Sequence, residues 1–312
     1  MSLEKSRLTL VVPQHNDWEC AQVLLDQINE LADRFSVDKI SVVLVDDFSD
    51  QINGLIELDW DRLDIKIIRL VQNLGHQRAI AIGLCYAYDH YDGDWIGVMD
   101  ADGEDRPEDL FKLWNQAKKQ SASVFAHRNK RSEGMLFKLF YWLYKFVFWI
   151  CSGKRISFGN FSVIRGDRLK ALVHDPNLWN NYPAAFLKSK IGYSTLSTSR
   201  GVRYHGYSKM NLTSLVIHGL SGVAVFADVV NTRMIIFSLA IILSALLGIS
   251  IVVSIKILTD SAIPGWATYS VLAFAILLFQ ALIIAFFTLF IFLSNRSVMA
   301  VQPVKAYVNY ID

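Results

Sequence analysis

The run MDADGEDRPED, residues 99–109, places Asp100 and Asp102 two positions apart directly after an apolar segment. If the strand stays extended for two more residues, both carboxylates point the same way and can meet one hard cation together with the oxygens of a diphosphate. Glu104 could add a third oxygen. Mg2+ or Mn2+ suits such a set, because carboxylate and phosphate are hard ligands and the protein need supply only one or two groups. The competing reading is a solvated acidic loop, with Asp105 as N-cap and Pro107 in the first turn of a helix. A second acidic pair, Asp46 and Asp47, follows the run Val42-Val43-Leu44-Val45. Basic residues that could meet phosphate come later: Arg128, Lys130 and Arg131, then Arg200, Arg203 and Lys209, with a Gly206-Tyr207-Ser208 turn ahead of the last. Guanidinium groups grip phosphate in a fork, and the turn favours a specific pocket; the alternatives are a solvated loop and general attraction to anionic headgroups. The seven histidines form no HxxH or HExxH pair.

These residues need a scaffold. Leu8-Val12, Ile40-Val45, Ile65-Leu70, Trp95-Met99 and Ser123-Ala126 read as strands, and Trp18-Phe35, Gln77-Tyr88 and Pro107-Gln120 between them have helical period. Alternation of this kind implies an α/β domain with a mainly parallel sheet covered on both faces, and ligands of such sheets bind beyond the carboxyl ends of the strands. Both acidic clusters stand at those ends. They therefore make one candidate site.

The second half of the chain changes character. Met234 to Ile255 and Ala267 to Leu293 contain no charged residue, and each exceeds the roughly 20 residues that cross a bilayer. The joining segment, 256–266, is short enough to force a hairpin, and Arg233, Arg296 and Lys305 outside it mark the cytoplasmic side. Residues 135–153, rich in aromatics with Lys138 and Lys145 on one helical face, read as an interface helix. The expected plan is a catalytic domain over 1–209, juxtamembrane helices over 210–233, a transmembrane hairpin over 234–293 and a cytoplasmic tail over 294–312. A hydrophobic content of 53% and a mean hydropathy of +0.30 agree with an integral membrane protein and exclude disorder. A formal charge of +2, from 31 Lys and Arg against 29 Asp and Glu, gives no field for nucleic acid. Cys20, Cys85 and Cys151 lack metal-ligand spacing and suit a reducing compartment, and the apolar run near the N-terminus is too short for a signal peptide.

Read together, Val12-Pro13-Gln14-His15-Asn16-Asp17, Leu44 to Asp50, Gln72 to His76 and Met99 to Glu108 resemble, in order, the motifs of inverting family-two glycosyltransferases with the GT-A fold. Ala126-His127-Arg128 with Arg131, then Gly159-Asn160-Phe161, then Arg200, Arg203, Gly206, Ser208 and Lys209, then the hairpin, resemble its polyprenyl-phosphate group, that of dolichyl-phosphate mannose synthase and the bacterial GtrB-like enzymes. The resemblance implies a GT-A, Rossmann-like domain with a donor site made of Pro13, His15, Asp17, Asp46, Asp47 and Asp100. It implies a catalytic metal pair, Asp100 and Asp102, with Glu104 beside them, and Arg128, Arg131, Arg203, Ser208 and Lys209 around the acceptor phosphate and donor diphosphate. Within the pattern, His15 and Asp17 stand for the usual Tyr and Glu, and His76 for Lys. Glu104 stands for Gln, Arg106 for the first Pro, and Asn160 for Asp.

The implied reaction moves a sugar from a UDP- or GDP-linked donor to a polyprenyl phosphate on the cytoplasmic face, with inversion. The acceptor is already anionic, so orientation matters more than a strong general base. Two other readings compete: transfer to a polysaccharide or glycolipid, and a non-catalytic membrane module that binds nucleotide sugars. The sequence leaves a homo-oligomer open.

Overall fold

The computed structural model describes residues 6–35, 37, 39–50, 60–128, 135–154, 158–206, 212–259, 265–297 and 300–312. Strand β1 (Leu8–Gln14) is buried along its whole length, which explains why it is mainly apolar, with Thr9 and Gln14 its only polar residues: a central strand covered on both faces does not alternate polar and apolar residues. Parallel neighbours flank it, β2 (Ile40–Asp46) on one side and β4 (Trp95–Val98) on the other, and β3 (Leu63–Arg69) extends the sheet beyond β2. Beyond β4 lie β6 (Ser162–Arg165), β5 (Ser123–Arg128) and β7 (Tyr193–Thr198), giving seven strands in the order β3-β2-β1-β4-β6-β5-β7. Only β6 runs against its neighbours. The expected α/β fold with a mainly parallel sheet is what forms.

Helices α1 (Trp18–Leu31) and α3 (Pro107–Gln120) bury Leu24, Leu25, Ile28, Leu110, Leu113 and Trp114 in one apolar layer with Leu8, Leu10 and Val42 of the sheet. Helix α2 (His76–His90), with the shorter α5 (Gly166–Val173) and α6 (Tyr182–Lys188), forms the layer on the other face. The backbone of α2 comes so close to the sheet that a Cβ on Gly83 would lie 2.4 Å from Val11 Cγ1 and 2.8 Å from Val45 Cγ2. Pro107 opens α3, but the residue ahead of it is Arg106, not Asp105. Asp105 turns inward instead, and its carboxylate accepts the backbone N–H of Asp100 at 3.0 Å. The acidic loop is thus braced from within, which a cap on α3 would not achieve.

The chain forms two compact units: residues 1–146, 154–225 and 301–312, and residues 147–153 and 226–300. In the first, α4 (Met135–Ser152) begins and α7 (Leu212–Ala224) ends the run ahead of the second. The second holds α8 (Ala227–Leu258) and α9 (Trp266–Ser297), 32 residues each, long and apolar enough to cross a membrane. At 1.5 Å per residue each is about 48 Å long, more than the roughly 30 Å of bilayer hydrocarbon. Only 17% and 11% of their most apolar windows are buried, so these are not the core helices of a water-soluble domain. The juxtamembrane pair expected over 210–233 is different in detail: α7 stops at Ala224, and α8, which carries Arg233, already begins at Ala227. Of the segment expected as a tail, 294–312, the first residues continue α9 and belong to the second unit, whereas residues 301–312 pack into the first. They form α10 (Pro303–Ala306) and a following 3-10 turn, bury Tyr307, and pair Ile311 with Leu70 at the sheet edge.

Candidate functional site

The loops after β1, β2 and β4 leave the sheet at its carboxyl edge and enclose a cleft of about 400 Å3, lined among others by Pro13, His15, Asp17, Asp47, Asp100, Asp102 and Arg203. Two of these loops turn through left-handed residues, Asn16 (φ 52) and Phe48 (φ 59). They are held together: Asn16 N–H donates to Ser49 Oγ at 2.8 Å, and Asp47 N–H to the Gln14 carbonyl at 2.9 Å. Gln14 Nε2 and Ser49 Oγ both donate to Asp46, whose carboxylate is buried and lies 3.8 Å from Arg69. Asp46 therefore braces the loops from behind and does not line the cleft. Asp47 does line it. Its two oxygens accept the N–H groups of Leu74 and Gly75 at 2.7 and 2.9 Å, while burial holds its carboxyl above the usual range against those donors. Gly75, at φ 85, then opens α2.

His15 Nδ1 lies 2.9 Å from the Asp47 carbonyl oxygen, which can only accept, so the proton sits on that nitrogen. Nε2 is left to accept from the amides of Asn16 and Asn73, each 3.3 Å away. Asn73, from the motif ahead of α2, is thus part of the same wall as His15.

On the far wall, a chain of hydrogen bonds ends at Asp100. The Tyr182 N–H donates to Gln77 Oε1 at 2.8 Å, so Gln77 Nε2 faces Asn160 Oδ1 at 3.0 Å, and Asn160 Nδ2 faces His76 Nε2 at 2.9 Å. That same nitrogen is 3.2 Å from Asp100 Oδ1. The amide opposes a proton there and the carboxylate draws one. Burial works against the charge on His76, but Asp100, with Asp105 and Asp102 behind it, outweighs burial and raises the imidazole's pKa. His76 and Asn160, both departures from the pattern recognised in the sequence, are therefore neighbours that answer each other.

Asp102 is met from the side by the segment after β7. The Gly201 N–H donates to the Glu104 carbonyl at 2.9 Å and the Tyr204 N–H to the Asp102 carbonyl at 3.0 Å, strapping the two loops together. The approach is tight enough that a Cβ on Gly201 would fall 2.1 Å from the Gly103 carbonyl oxygen. This strap delivers Arg203, whose guanidinium pairs with Asp17 at 2.5 Å and Asp102 at 3.0 Å with its side chain only 17% exposed. Arg203 thus stands between the carboxylates of Asp17 and Asp102. Glu104 is paired with Arg200. Arg128 ends β5, opposite Thr198 of β7, while Arg131, Ser208 and Lys209 lie outside the described residues.

Asp100 and Asp102 crowd each other: burial first, then the Asp100 charge, holds the Asp102 carboxyl above its ordinary range, with the Glu104 N–H and Arg203 pulling the other way. A divalent cation would relieve that crowding, so the pair fits one. Among the described residues no group of three His, Cys, Asp or Glu could hold a metal, and Glu104 is not gathered into such a set. Oxygens of a bound diphosphate would have to complete the shell. Sequence reasoning missed Gln14, Gln77 and Asn73 as supports; the signal was present in the motifs that contain Gln14 and Asn73, and absent for Gln77.

Comparison with known proteins gives this cleft a context. A glycosyltransferase of Bacillus subtilis (strain 168) called YkcC, described as uncharacterized, is 27% identical over 296 residues, spanning 88% of this chain and 84% of its own length. Mannosyl-3-phosphoglycerate synthase from Rubrobacter xylanophilus superposes with a TM-score of 0.51 at 16% identity, over 73% of this chain and 75% of that one. Glucosyl-3-phosphoglycerate synthase from Mycobacterium tuberculosis, in complex with Mn2+, UDP-glucose and phosphoglyceric acid, gives 0.51 at 12% identity, over 72% and 80%. At such identities the two solved structures speak for the fold. The sequence itself, from β1 through β6, fits the model of glycosyl transferase family 2 over residues 9–164, half of the chain, and the protein belongs to that family.

Proposed function

We propose that the protein transfers a sugar from a nucleotide-sugar donor to a polyprenyl phosphate at the cytoplasmic face of a membrane, with inversion at the anomeric carbon. The observation that carries this reading is the combination, in one family 2 chain, of an acidic cleft at the sheet's carboxyl edge with two long apolar helices that are mostly exposed. A soluble acceptor, such as the phosphoglycerate named with the solved neighbour, gives no reason for that apolar surface. The second unit begins and ends in chain that belongs to the first, so a two-span hairpin keeps the catalytic domain and residues 301–312 on one side.

In this reading the wall of His15, Asp47 and Asn73 takes the nucleoside, and Asp100 and Asp102 hold a divalent cation against the diphosphate. The cation, when bound, neutralises charge that grows on the leaving diphosphate. Arg203 occupies Asp102 and Asp17 until the donor arrives and then has a diphosphate within reach, where a planar guanidinium is a strong partner. The acceptor phosphate is already a nucleophile, so the protein needs to orient it in line with the anomeric carbon and needs no dedicated base. Binding alone is set apart from catalysis by this test: membranes containing the protein are incubated with labelled UDP- and GDP-sugars, with and without polyprenyl phosphate, then extracted with organic solvent. Label in the organic phase only when the lipid is present supports transfer. Label confined to polymer or to free sugar refutes it.

A further inference from the structure

Helix α7 has two unlike faces. Val216, Ile217 and Leu220 are 51%, 59% and 63% exposed, whereas Gly222 and the following Val225 are buried and His218 is partly buried. At about 100° per residue, the exposed apolar residues fall on one side and His218, Gly222 and Val225 on the other. Among the described residues the His218 imidazole has no hydrogen-bond partner, and its ring nitrogens are not enclosed, so they are open to a ligand.

The place of His218 follows from how α7 is fastened. It packs on α6, and Lys188 in the last turn of α6 donates to the Val225 carbonyl at 2.7 Å. Helix α6 is only seven residues, about 10 Å, long, so α7 packs close to its first residue, Tyr182, as well as its last. Tyr182 starts the hydrogen-bond chain that runs through Gln77 and Asn160 to His76. His218, on the inner face of α7, is near enough to the end of that chain for His76 and Asp100 to act on its imidazole. Electrostatics agree: burial lowers the pKa of its imidazole, the nearby His76 adds to this, and Asp100 opposes it.

We infer that His218 is a binding residue for the lipid acceptor, donating a hydrogen bond to its terminal phosphomonoester on the His76 and Asp100 side of the cleft while the outer face of α7 rests against lipid. This rests on the polyprenyl-phosphate reading above. A lipid acceptor has to reach Asp100 and Asp102 from an apolar surface, and α7 combines such a surface with an unpartnered N–H donor on its inner face. An imidazole supplies that donor in its neutral form, so the contact does not require a charged His218.

The test uses the full-length protein in lipid nanodiscs at saturating donor and Mn2+, with acceptor titrations of polyprenyl phosphate for the wild type, His218→Ala and His218→Gln, and donor affinity measured separately by calorimetry. In His218→Ala the apparent KM for the lipid phosphate should rise about tenfold, as expected for loss of a hydrogen bond to a charged group. In that variant kcat should change less and donor affinity should hold. His218→Gln, which keeps an N–H donor near the Nε2 position, should recover most of the loss. If His218→Ala is too unstable to assay, His218→Phe, which keeps a ring but carries no N–H donor, should show the same rise in apparent KM for the lipid phosphate with donor affinity held. Wild-type-like acceptor curves, or equal losses for donor and acceptor, overturn the inference while leaving the proposed function standing. No transfer by the wild type to any polyprenyl phosphate overturns both. A defect that appears in anionic bilayers and vanishes in neutral ones means that His218 meets bulk headgroups, and also overturns it.

Discussion

Removing Arg203 should make the metal-free site bind Mn2+ more tightly, although it damages the enzyme. The guanidinium holds Asp17 at 2.5 Å and Asp102 at 3.0 Å, with all three side chains less than a quarter exposed. At an effective dielectric of about 20, a pair at these distances has a gross attraction of about 5 kcal/mol, most of which is cancelled by desolvation. Hydrogen bonds to charged groups are worth about 1.5–3 kcal/mol net. A cation that takes Asp102 must first break one of them. Arg203→Ala removes that competitor, so affinity for Mn2+ without nucleotide should rise by at least about tenfold, the lower end of that range. Two opposing effects have to be kept apart. Arg203 pulls the Asp102 pKa down, so its loss lets burial and Asp100 push the carboxyl further up, and protons then compete with the metal. The titration therefore belongs at about pH 8, well above the carboxylate range. Calorimetry or Mn2+ electron paramagnetic resonance on both proteins reads the result, and glycosyl transfer by the variant should fall because the diphosphate loses its guanidinium partner. Unchanged or weaker Mn2+ binding would refute the competition, and a defect confined to acceptor titrations would return Arg203 to the lipid-phosphate role that the sequence resemblance implied.

Asp102→Asn should lower transfer by roughly 100-fold or more, as expected when charge stabilisation is lost in the transition state, and steady-state assays across Mn2+ concentrations check this. Gly83→Ala should destabilise the first unit by about 1–3 kcal/mol through overpacking against Val11 and Val45, read as a lower Tm. His76 has a raised pKa in the folded protein, so its pairing with Asp100 contributes stability that is fully present below the ordinary value of 6.5 and is lost as pH rises through the raised one. Melts of the metal-free protein should show this slope, and His76→Asn should flatten it. Deleting residues 301–312 should lower Tm as well, since it removes the buried Tyr307, its 2.7 Å hydrogen bond to Asp89 and the pairing of Ile311 at the β3 edge.

The sequence carried the parts of the fold that hydrophobic patterning encodes. β1, β2 and β4 are largely buried on both faces and read as mainly apolar runs, so they and the acidic residues at the ends of β2 and β4 were legible. β6 is four residues long, and β7, Tyr193–Thr198, is polar and largely uncovered, so neither carries a pattern strong enough to stand out. The role of residues 301–312 was illegible for a similar reason: twelve mixed residues dock through the buried Tyr307, the Tyr310 ring against Trp179 and an edge bridge, which are tertiary facts. At the site, residue types disclosed the carboxylates but not their partners. Asp105 looked like a cap because of Pro107, yet the loop needed its carboxylate to hold the Asp100 N–H. Several unusual residues make sense only in pairs: His76 meets Asn160, Glu104 meets Arg200, and Asp17 meets Arg203. Each pair is separated by more than eighty residues, a relation that spacing along the chain cannot display.

The central claim is tested most directly by one reaction with the purified, full-length protein: nucleotide sugar, polyprenyl phosphate and Mn2+ are combined, and the lipid fraction is analysed by mass spectrometry beside the same reaction with Asp102→Asn. The account predicts a lipid product heavier than the acceptor by one sugar residue, formed by the wild type only when the divalent cation is present and nearly absent with the variant. A nucleotide sugar consumed without any such lipid, or the same product formed equally well by Asp102→Asn, would contradict it.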